Sequence, residues 1–554
     1  MGEQVRVGSL DFQGWKTGSK AKVYTNYKRA PGRSIRLVLA LVLLTTALAQ
    51  LSCQRDEIPP DAFVVLLDAH PKGLDPRFPV GDASAKIIGL LHAGLVSVDT
   101  RDGKPELELA KEIEQVNPTT YKVTLRDDIF FHDGKPVTAE DVEYTFMELD
   151  KEPVSSPLAG MSRRIKVFDI HSPTSFTIEL NEPRAPFMVE LAMGIVPKHV
   201  CKGLKQCPEP HIGAGPFRYV TSNGNHMVLL EAFEKYHLGK PHIEQLAFKV
   251  VKDDNTRLLA LLGGSAEVVQ NAVSPLMLPV VRDDKKLEVM TTTSFKYTYL
   301  AFNMRDPILK DVRVRQAIAH GIDRESIIKY KYRGLADLST GLLSPGHWAY
   351  EEDVRRYDYN IEEAMRLLDE AGYTDPDGPE GPKPRFELEL KVSSNKFRRA
   401  LAALMSHQLA RIGIAVTVRS YEWGTYFDDI KSGNFEMTTL QWPSVLEPSL
   451  YRWIFHSENI PTPEARSAGA NRGAYRNEEI DKLLDEGMIE TDQQKRAEIY
   501  SRVQMILAEE LPYVSLWHEH NIAVLKKGIS GYHTTPNARF EALKKTKPAP
   551  SSSP

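Results

Sequence analysis

Four groups of side chains in this chain have types and spacings that could do chemistry. His132-Asp133 and Glu140-Asp141 lie in "LRDDIFFHDGKPVTAEDVEYTF", Leu125 to Phe146. An imidazole among carboxylates can move protons or hold a metal. His518 and His520, in "WHEHN", fall on one face of a strand and make half a metal site, but no third ligand stands out. Asp375 and Asp377 have calcium-loop spacing, yet the twelfth position is Phe386 where a bidentate Glu is required, so this stretch reads as a Pro/Gly loop. Cys201 and Cys207 could close a disulfide, or hold zinc with His199 and His211. No G-x-S-x-G, HExxH, GxGxxG or P-loop sequence is present.

The first group changes meaning once the elements around it are read. Tyr121, Val123 and Leu125 alternate with polar residues, as a half-buried strand does. Asp133-Gly134 is a turn dipeptide. Thr138 precedes Asp141 by three positions, an acidic variant of the capping box. Val142, Thr145 and Phe146 share one helical face. Glu140 and Asp141 therefore sit in the first turn of a helix, where carboxylates complement its dipole. The stretch is strand, turn and capped helix rather than an acid–base site. Further on, Ile361, Ala364, Leu368 and Ala371 predict an amphipathic helix ended by Gly372. Leu401, Leu404 and Met405 mark another, ended by Gly413, and Ile414, Val416 and Val418 then alternate as a strand. Helices alternating with strands predict α/β layers with covered sheets.

The chain has 554 residues, which at roughly 150 per domain suggests three or four units. Hydrophobic residues make up 42% and charged residues 26%, ordinary for a globular protein, and the formal net charge of −4 gives no reason to expect nucleic acid or an anionic membrane as partner. Residues 37–51, "LVLALVLLTTALAQL", follow Lys28, Arg29, Arg33 and Arg36. A basic segment before a short apolar run is an export signal, and the run is shorter than the ~20 residues of a spanning helix. Two processing sites compete. Ala47–Ala49 suits ordinary signal peptidase, whereas Cys53 sits where a lipobox cysteine would, with Leu51 one position closer than usual. A polar, Pro-containing tether, Gln54 to Asp61, follows Cys53. Each buried methylene of a lipid anchor contributes ~0.8 kcal/mol, so stable anchoring needs more than one chain. Export implies an oxidising compartment, which favours the Cys201–Cys207 disulfide over zinc, at roughly 2 kcal/mol for so short a loop. The Pro/Ser-rich C-terminus, Lys544 to Pro554, is expected to be disordered.

The segment "AKEIEQVNPTTYKVTLRDDIFFHDGKPVTAEDVEYTF", Ala110 to Phe146, resembles the signature of the family 5 solute-binding proteins of ABC importers, which include dipeptide, oligopeptide and nickel binders. Similar segments run along the chain in family order: "LDAHPKGLDP" (Leu67 to Pro76), "GAGPFRYV" (Gly213 to Val220), "DVRVRQAIAHGIDRESII" (Asp311 to Ile328), "AMRLLDEAGY" (Ala364 to Tyr373), "ANRGAYRNEEIDKLLDEG" (Ala470 to Gly487) and "LPYVSLWHEHNIAVL" (Leu511 to Leu525). The resemblance implies an α/β, periplasmic binding protein-like fold of type II, cluster C. Two lobes close like a Venus flytrap, with an extra domain in the first. The boundaries it implies are an export extension over 1–53, a tether over 54–60, domain I over 60–95, 200–295 and 515–545, domain II over 96–199, domain III over 296–514, and a disordered tail over 546–554.

The function implied is capture of a peptide or peptide-like solute between the lobes, with delivery to permease subunits whose ATPase subunits are separate. Neither catalysis nor a cofactor nor a resident metal is implied, and the protein is expected to be a monomer, anchored by lipid on the outer face of the inner membrane or in the outer membrane, or else released into the periplasm. A nickel-chelate binder, a sensor or chaperone uncoupled from uptake, and an exported hydrolase are the competing readings. In peptide binders of the family an Asp three residues after a Trp pairs with the ligand's ammonium. Here Trp442 is followed by Val445, so that anchor is absent or moved to Glu447, the nearest carboxylate. Trp442 is expected to wall the cleft, Tyr299 to face it from a strand, His70 to approach it from the first lobe and Arg452 to accept a carboxylate.

Overall fold

The computed structural model describes residues 58–78, 81–98, 100–224, 226–378, 381–462 and 469–550. The export segment, Cys53 and residues 54–57 lie outside them. The strands, in chain order, are β1 (Phe63–Leu67), β2 (Val96–Ser97), β3 (Glu106–Leu107), β4 (Ala110–Asn117), β5 (Thr120–Leu125), β6 (Ile165–Ser172), β7 (Ser175–Leu180), β8 (Phe217–Asn223), β9 (Met227–Ala232), β10 (Gln245–Val250), β11 (Val268–Gln270), β12 (Leu287–Thr293), β13 (Tyr297–Phe302), β14 (Ala336–Leu338), β15 (Phe386–Ser393), β16 (Ile414–Tyr421), β17 (Met437–Trp442) and β18 (Tyr513–Lys526).

Twelve strands join in one sheet through a single long strand. Its order runs β16-β15-β17-β13-β18-β11-β1-β10-β9-β8, with β12 and β14 also paired to β18. The two ends of β18 serve different halves. Tyr513–Trp517 pairs with β13, whereas His520–Lys526 pairs with β12, and Ala523–Leu525 also with β11. The chain crosses once more between β12 and β13, through Ser294, Phe295 and Lys296. Each half buries its own core. Phe63, Val65, Phe217, Phe248 and Leu525 pack in the first, and Leu300, Phe302, Leu390, Met405 and Trp517 in the second. Separate cores joined by two crossing segments can move as rigid bodies about those segments. This is the two-lobed α/β fold expected from the sequence.

Between β1 and β8 the chain leaves the first half to build a separate antiparallel sheet, ordered β4-β5-β7-β6. Tyr121, Val123, Phe146, Phe176 and Ile178 form its core. The capped helix predicted from the opening motif is Ala139–Met147, and Asp141 accepts the Thr138 N–H at 3.0 Å. His132 is a scaffold residue here, since its ring bridges Gly213 and Gly215 backbone atoms at 3.2 and 3.1 Å. The expected helix over 361–371 appears as Ile361–Glu370, and the one marked by Leu401, Leu404 and Met405 as Lys396–Ala410. Cys201 and Cys207 are joined in a disulfide.

The tail departs from expectation. Thr546 is fully buried, and Lys547 pairs with Ser530 in an isolated bridge. Composition alone pointed to disorder, but the Thr546 hydroxyl donates to the Ala542 carbonyl at 2.9 Å and Ala549 packs on the first core. Partnered backbone offsets the ordering cost that Pro/Ser-rich chain usually leaves unmet. Residues 551–554 lie outside the described residues.

The halves touch. The Ala185 N–H donates to the Met488 carbonyl at 2.8 Å. Gly103 lies so near the second half that a Cβ there would meet Leu446 at 3.3 Å.

Candidate functional site

In open α/β sheets, ligands gather beyond the carboxyl ends of parallel strands. Both halves present such an edge. In the first, β1 runs parallel to β10 and β11, and His70 follows its carboxyl end. In the second, β15 runs parallel to β16 and β17, which end at Ser393, Tyr421 and Trp442.

Beyond the second edge stands a row of flat groups. Trp423 opens the helix Trp423–Lys431 and stacks on Phe427 at 5.3 Å with 9° between planes. The Arg472 guanidinium lies 5.1 Å from the Phe427 ring and 5.8 Å from the Trp442 ring. Trp442 in turn sits 5.6 Å from Trp453. The outer rings are open, Trp423 being 54% and Trp453 41% exposed, whereas Arg472 is only 8% exposed. Arg472 has no ion pair among the described residues, and its Nε is buried without a hydrogen-bond partner. The indole Nε1 of Trp442 is orphaned in the same way. A buried donor without an acceptor costs about 1–3 kcal/mol, so two neighbouring ones mark a place where an acceptor is missing.

Next to Trp453 a cavity of about 430 Å³ opens between the halves, walled by Arg164 and Arg184 from the first and by Glu447, Arg452, Trp453 and Met488 from the second. Three guanidiniums and one carboxylate face it. Burial and the neighbouring Arg184 lower the pKa of Arg164.

Of the residues picked from sequence, Trp442 stands in the ring row, and Glu447 and Arg452 line the cavity. Neither charge is free. Glu447 pairs with the buried Arg496, and Arg452 donates to Asp485 at 2.7 Å and Glu458 at 3.0 Å. Burial disfavours the Arg452 charge, but those two carboxylates outweigh it and raise the pKa. Val445 is 1% exposed, and its N–H donates to the Phe295 carbonyl at 2.8 Å. The position that carries the ammonium-binding Asp in peptide binders is thus core. Tyr299 is also core, stacked on Tyr513 at 4.3 Å, and burial holds its hydroxyl well above the ordinary pKa. His70 is half-buried in the first half, where burial and then His226 and Lys252 lower its pKa. His518 hydrogen-bonds Ser339 and the Lys296 carbonyl, and His520 lies 3.0 Å from Asp337. Among the described residues no three His, Cys, Asp or Glu side chains gather as a metal site.

Sequence reasoning did not pick out Arg472, Phe427, Trp423, Trp453, Arg164 or Arg184. The tryptophans carried a usable signal, since the chain has only six and two of these bracket the Trp442 segment. Arg472 carried none, because an arginine in a loop reads as surface until its neighbours are known.

The model of the bacterial extracellular solute-binding proteins, family 5, matches residues 104–461. The oligopeptide-binding protein AppA of Bacillus subtilis is 26% identical over 483 residues, 84% of this chain and 87% of AppA. The dipeptide-binding protein of Escherichia coli K12 is 24% identical over 540 residues, covering 91% and 96% of the two chains. The structure of AppA in complex with a nonapeptide superposes with a TM-score of 0.72 at 25% identity, over 88% of this chain and 99% of AppA. NikZ of Campylobacter jejuni, solved with Ni(L-His), shares the fold at a TM-score of 0.75 and 23% identity, over 88% and 100% of the chains.

Proposed function

The chain belongs to the bacterial extracellular solute-binding proteins, family 5, and on that premise we propose that it is the substrate-binding component of an ABC importer. It captures a peptide or peptide-like solute outside the cytoplasm by closing its lobes, and presents the closed form to permease subunits driven by separate ATPases. The observation that carries this reading is the shared strand β18, which with the β12–β13 crossing gives two independently cored halves a common hinge. Peptide-binding relatives aligned along nearly their whole length support the ligand class. A ligand closes such a hinge only by its differential affinity for the two states. Groups contributed by both halves, such as Arg164 and Arg184 opposite Trp453 around the cavity of about 430 Å³, therefore matter more than contacts within one lobe.

The finer reading includes domain I over 60–95, 200–295 and 515–545, domain II over 96–199 and domain III over 296–514. It also includes anchoring through a lipid on Cys53. Deleting the gene should abolish uptake of a labelled peptide that the purified protein binds. Unchanged uptake together with an altered transcriptional response would replace import with sensing. A Cys53→Ser chain that still sediments with membranes would remove the lipid anchor from the reading.

A further inference from the structure

We propose that the solute is anchored by a carboxylate on Arg472, not by an ammonium on an acidic residue. This rests on the solute-capture reading above and narrows the ligand class it takes.

The argument begins with what the site lacks. Val445 is sealed in the core, and the nearest carboxylate, Glu447, is neutralised by Arg496. A cation entering here finds no free countercharge on this segment. Among the described residues the site does offer a cation without a countercharge. The Arg472 guanidinium lies over the rings of both Phe427 and Trp442, at 5.1 and 5.8 Å, contacts that use none of its N–H donors. Among the described residues neither terminal nitrogen donates a hydrogen bond, and the Nε is buried with none. Unpaired guanidinium donors are what a planar oxyanion needs, because their fork matches the two oxygens of a carboxylate.

Two independent observations point the same way. The orphaned Nε1 of Trp442, whose ring lies against the guanidinium, supplies a further donor and no acceptor. The cavity beyond Trp453 presents Arg164, Arg184 and Arg452 against the single carboxylate of Glu447, while the carboxylates that balance these arginines, Glu190, Glu458 and Asp485, are not among its walls. An anion gains from both features. The exposed indoles of Trp423 and Trp453 then offer flat apolar faces to the rest of the solute.

The test uses the mature protein and two probes. N-acetyl-Ala-Phe keeps the carboxylate and lacks the ammonium; Ala-Phe-amide keeps the ammonium and lacks the carboxylate. Binding is read by tryptophan fluorescence and calorimetry. The acetylated acid should bind and the amide should bind at least tenfold more weakly. Arg472→Lys should weaken the acid at least tenfold, and Arg472→Met should abolish its binding. The melting temperature of the ligand-free Arg472→Met protein should stay at or above wild type, since the change removes a buried unpaired charge. A purely structural arginine would instead lower it. Equal binding of the amide, binding of neither probe, or retained affinity in Arg472→Met would overturn the proposal. Those outcomes leave the importer reading standing. Conversely, tight Arg472-dependent binding with unchanged uptake in a deletion strain would sink the importer reading and leave the anchor intact.

Discussion

Replacing Glu447 by Gln tests whether the carboxylate nearest Val445 in the chain is scaffold or ligand partner. The Arg496 side chain is 6% exposed and that of Glu447 16%. Arg496 also donates from Nε to the Gly487 carbonyl at 2.9 Å and lies 5.4 Å from the Tyr500 ring. Burial opposes the Arg496 charge, and the Glu447 carboxylate more than offsets it, so the pKa is raised. Glu447→Gln leaves that guanidinium buried without a countercharge, beside the Gly487 carbonyl, a neutral amide and two aromatic rings. Removing one partner of a buried pair costs about 3–5 kcal/mol, and the partial exposure of Glu447 argues for the lower end, about 3 kcal/mol. That is roughly a hundredfold in the folding constant. Urea unfolding should show a lower midpoint at unchanged slope. Glu447→Gln combined with Arg496→Met should recover most of the loss, because no unpaired charge remains. Affinity for a solute found by thermal-shift screening of peptides, metal chelates, sugars and opines should change less than twofold in the single variant. Wild-type stability with a tenfold loss of affinity would refute the reasoning and make Glu447 the ligand's countercharge.

Three further outcomes follow from particular contacts. Burial pushes the Glu108 carboxyl up to about 7, with Lys544 opposing and Glu541 reinforcing the shift. The folded state then keeps a proton that the unfolded state releases near 4.5, so stability should fall as pH rises from about 5 to 7, by roughly 3 kcal/mol in all. Glu108→Gln, still able to accept from the Tyr236 hydroxyl, should flatten that dependence in urea titrations at several pH values; an unaltered slope would clear Glu108. Gly103 has φ +79° and faces Leu446, so Gly103→Val should strain the loop and prop the lobes apart, seen as a larger radius of gyration by small-angle scattering and weaker ligand binding. Identical scattering would mean this contact does not govern closure. Reducing or substituting the Cys201–Cys207 disulfide, with a sequence separation of 6, should lower stability by about 2 kcal/mol without touching affinity, and a loss of affinity would tie that loop to the site.

What the sequence revealed and what it hid divide along a physical line. Periodicity and turn chemistry are local, so the capped helix Ala139–Met147, the helix Ile361–Glu370 and the strand Ile414–Tyr421 could be read from a few residues each. The hinge was implied only by resemblance, because its two crossings are more than 200 residues apart and pair through β18. Side-chain roles proved least legible. Glu447 and Tyr299 have the right chemistry for a site, yet long-range partners, Arg496 and Tyr513, decide what they do. Arg472 has the opposite history. Nothing beside it in the chain distinguishes it from a surface arginine, and its importance lies in what it does not touch. An unpaired donor is a property of a three-dimensional neighbourhood, set here by Phe427, some 45 positions away, and by Trp442, 30 away, both of which offer rings where a stability-driven sequence would offer a carboxylate. Folding is better served by pairing a buried cation, so one left unpaired among the described residues, beside a row of open indoles, suits a partner that arrives later.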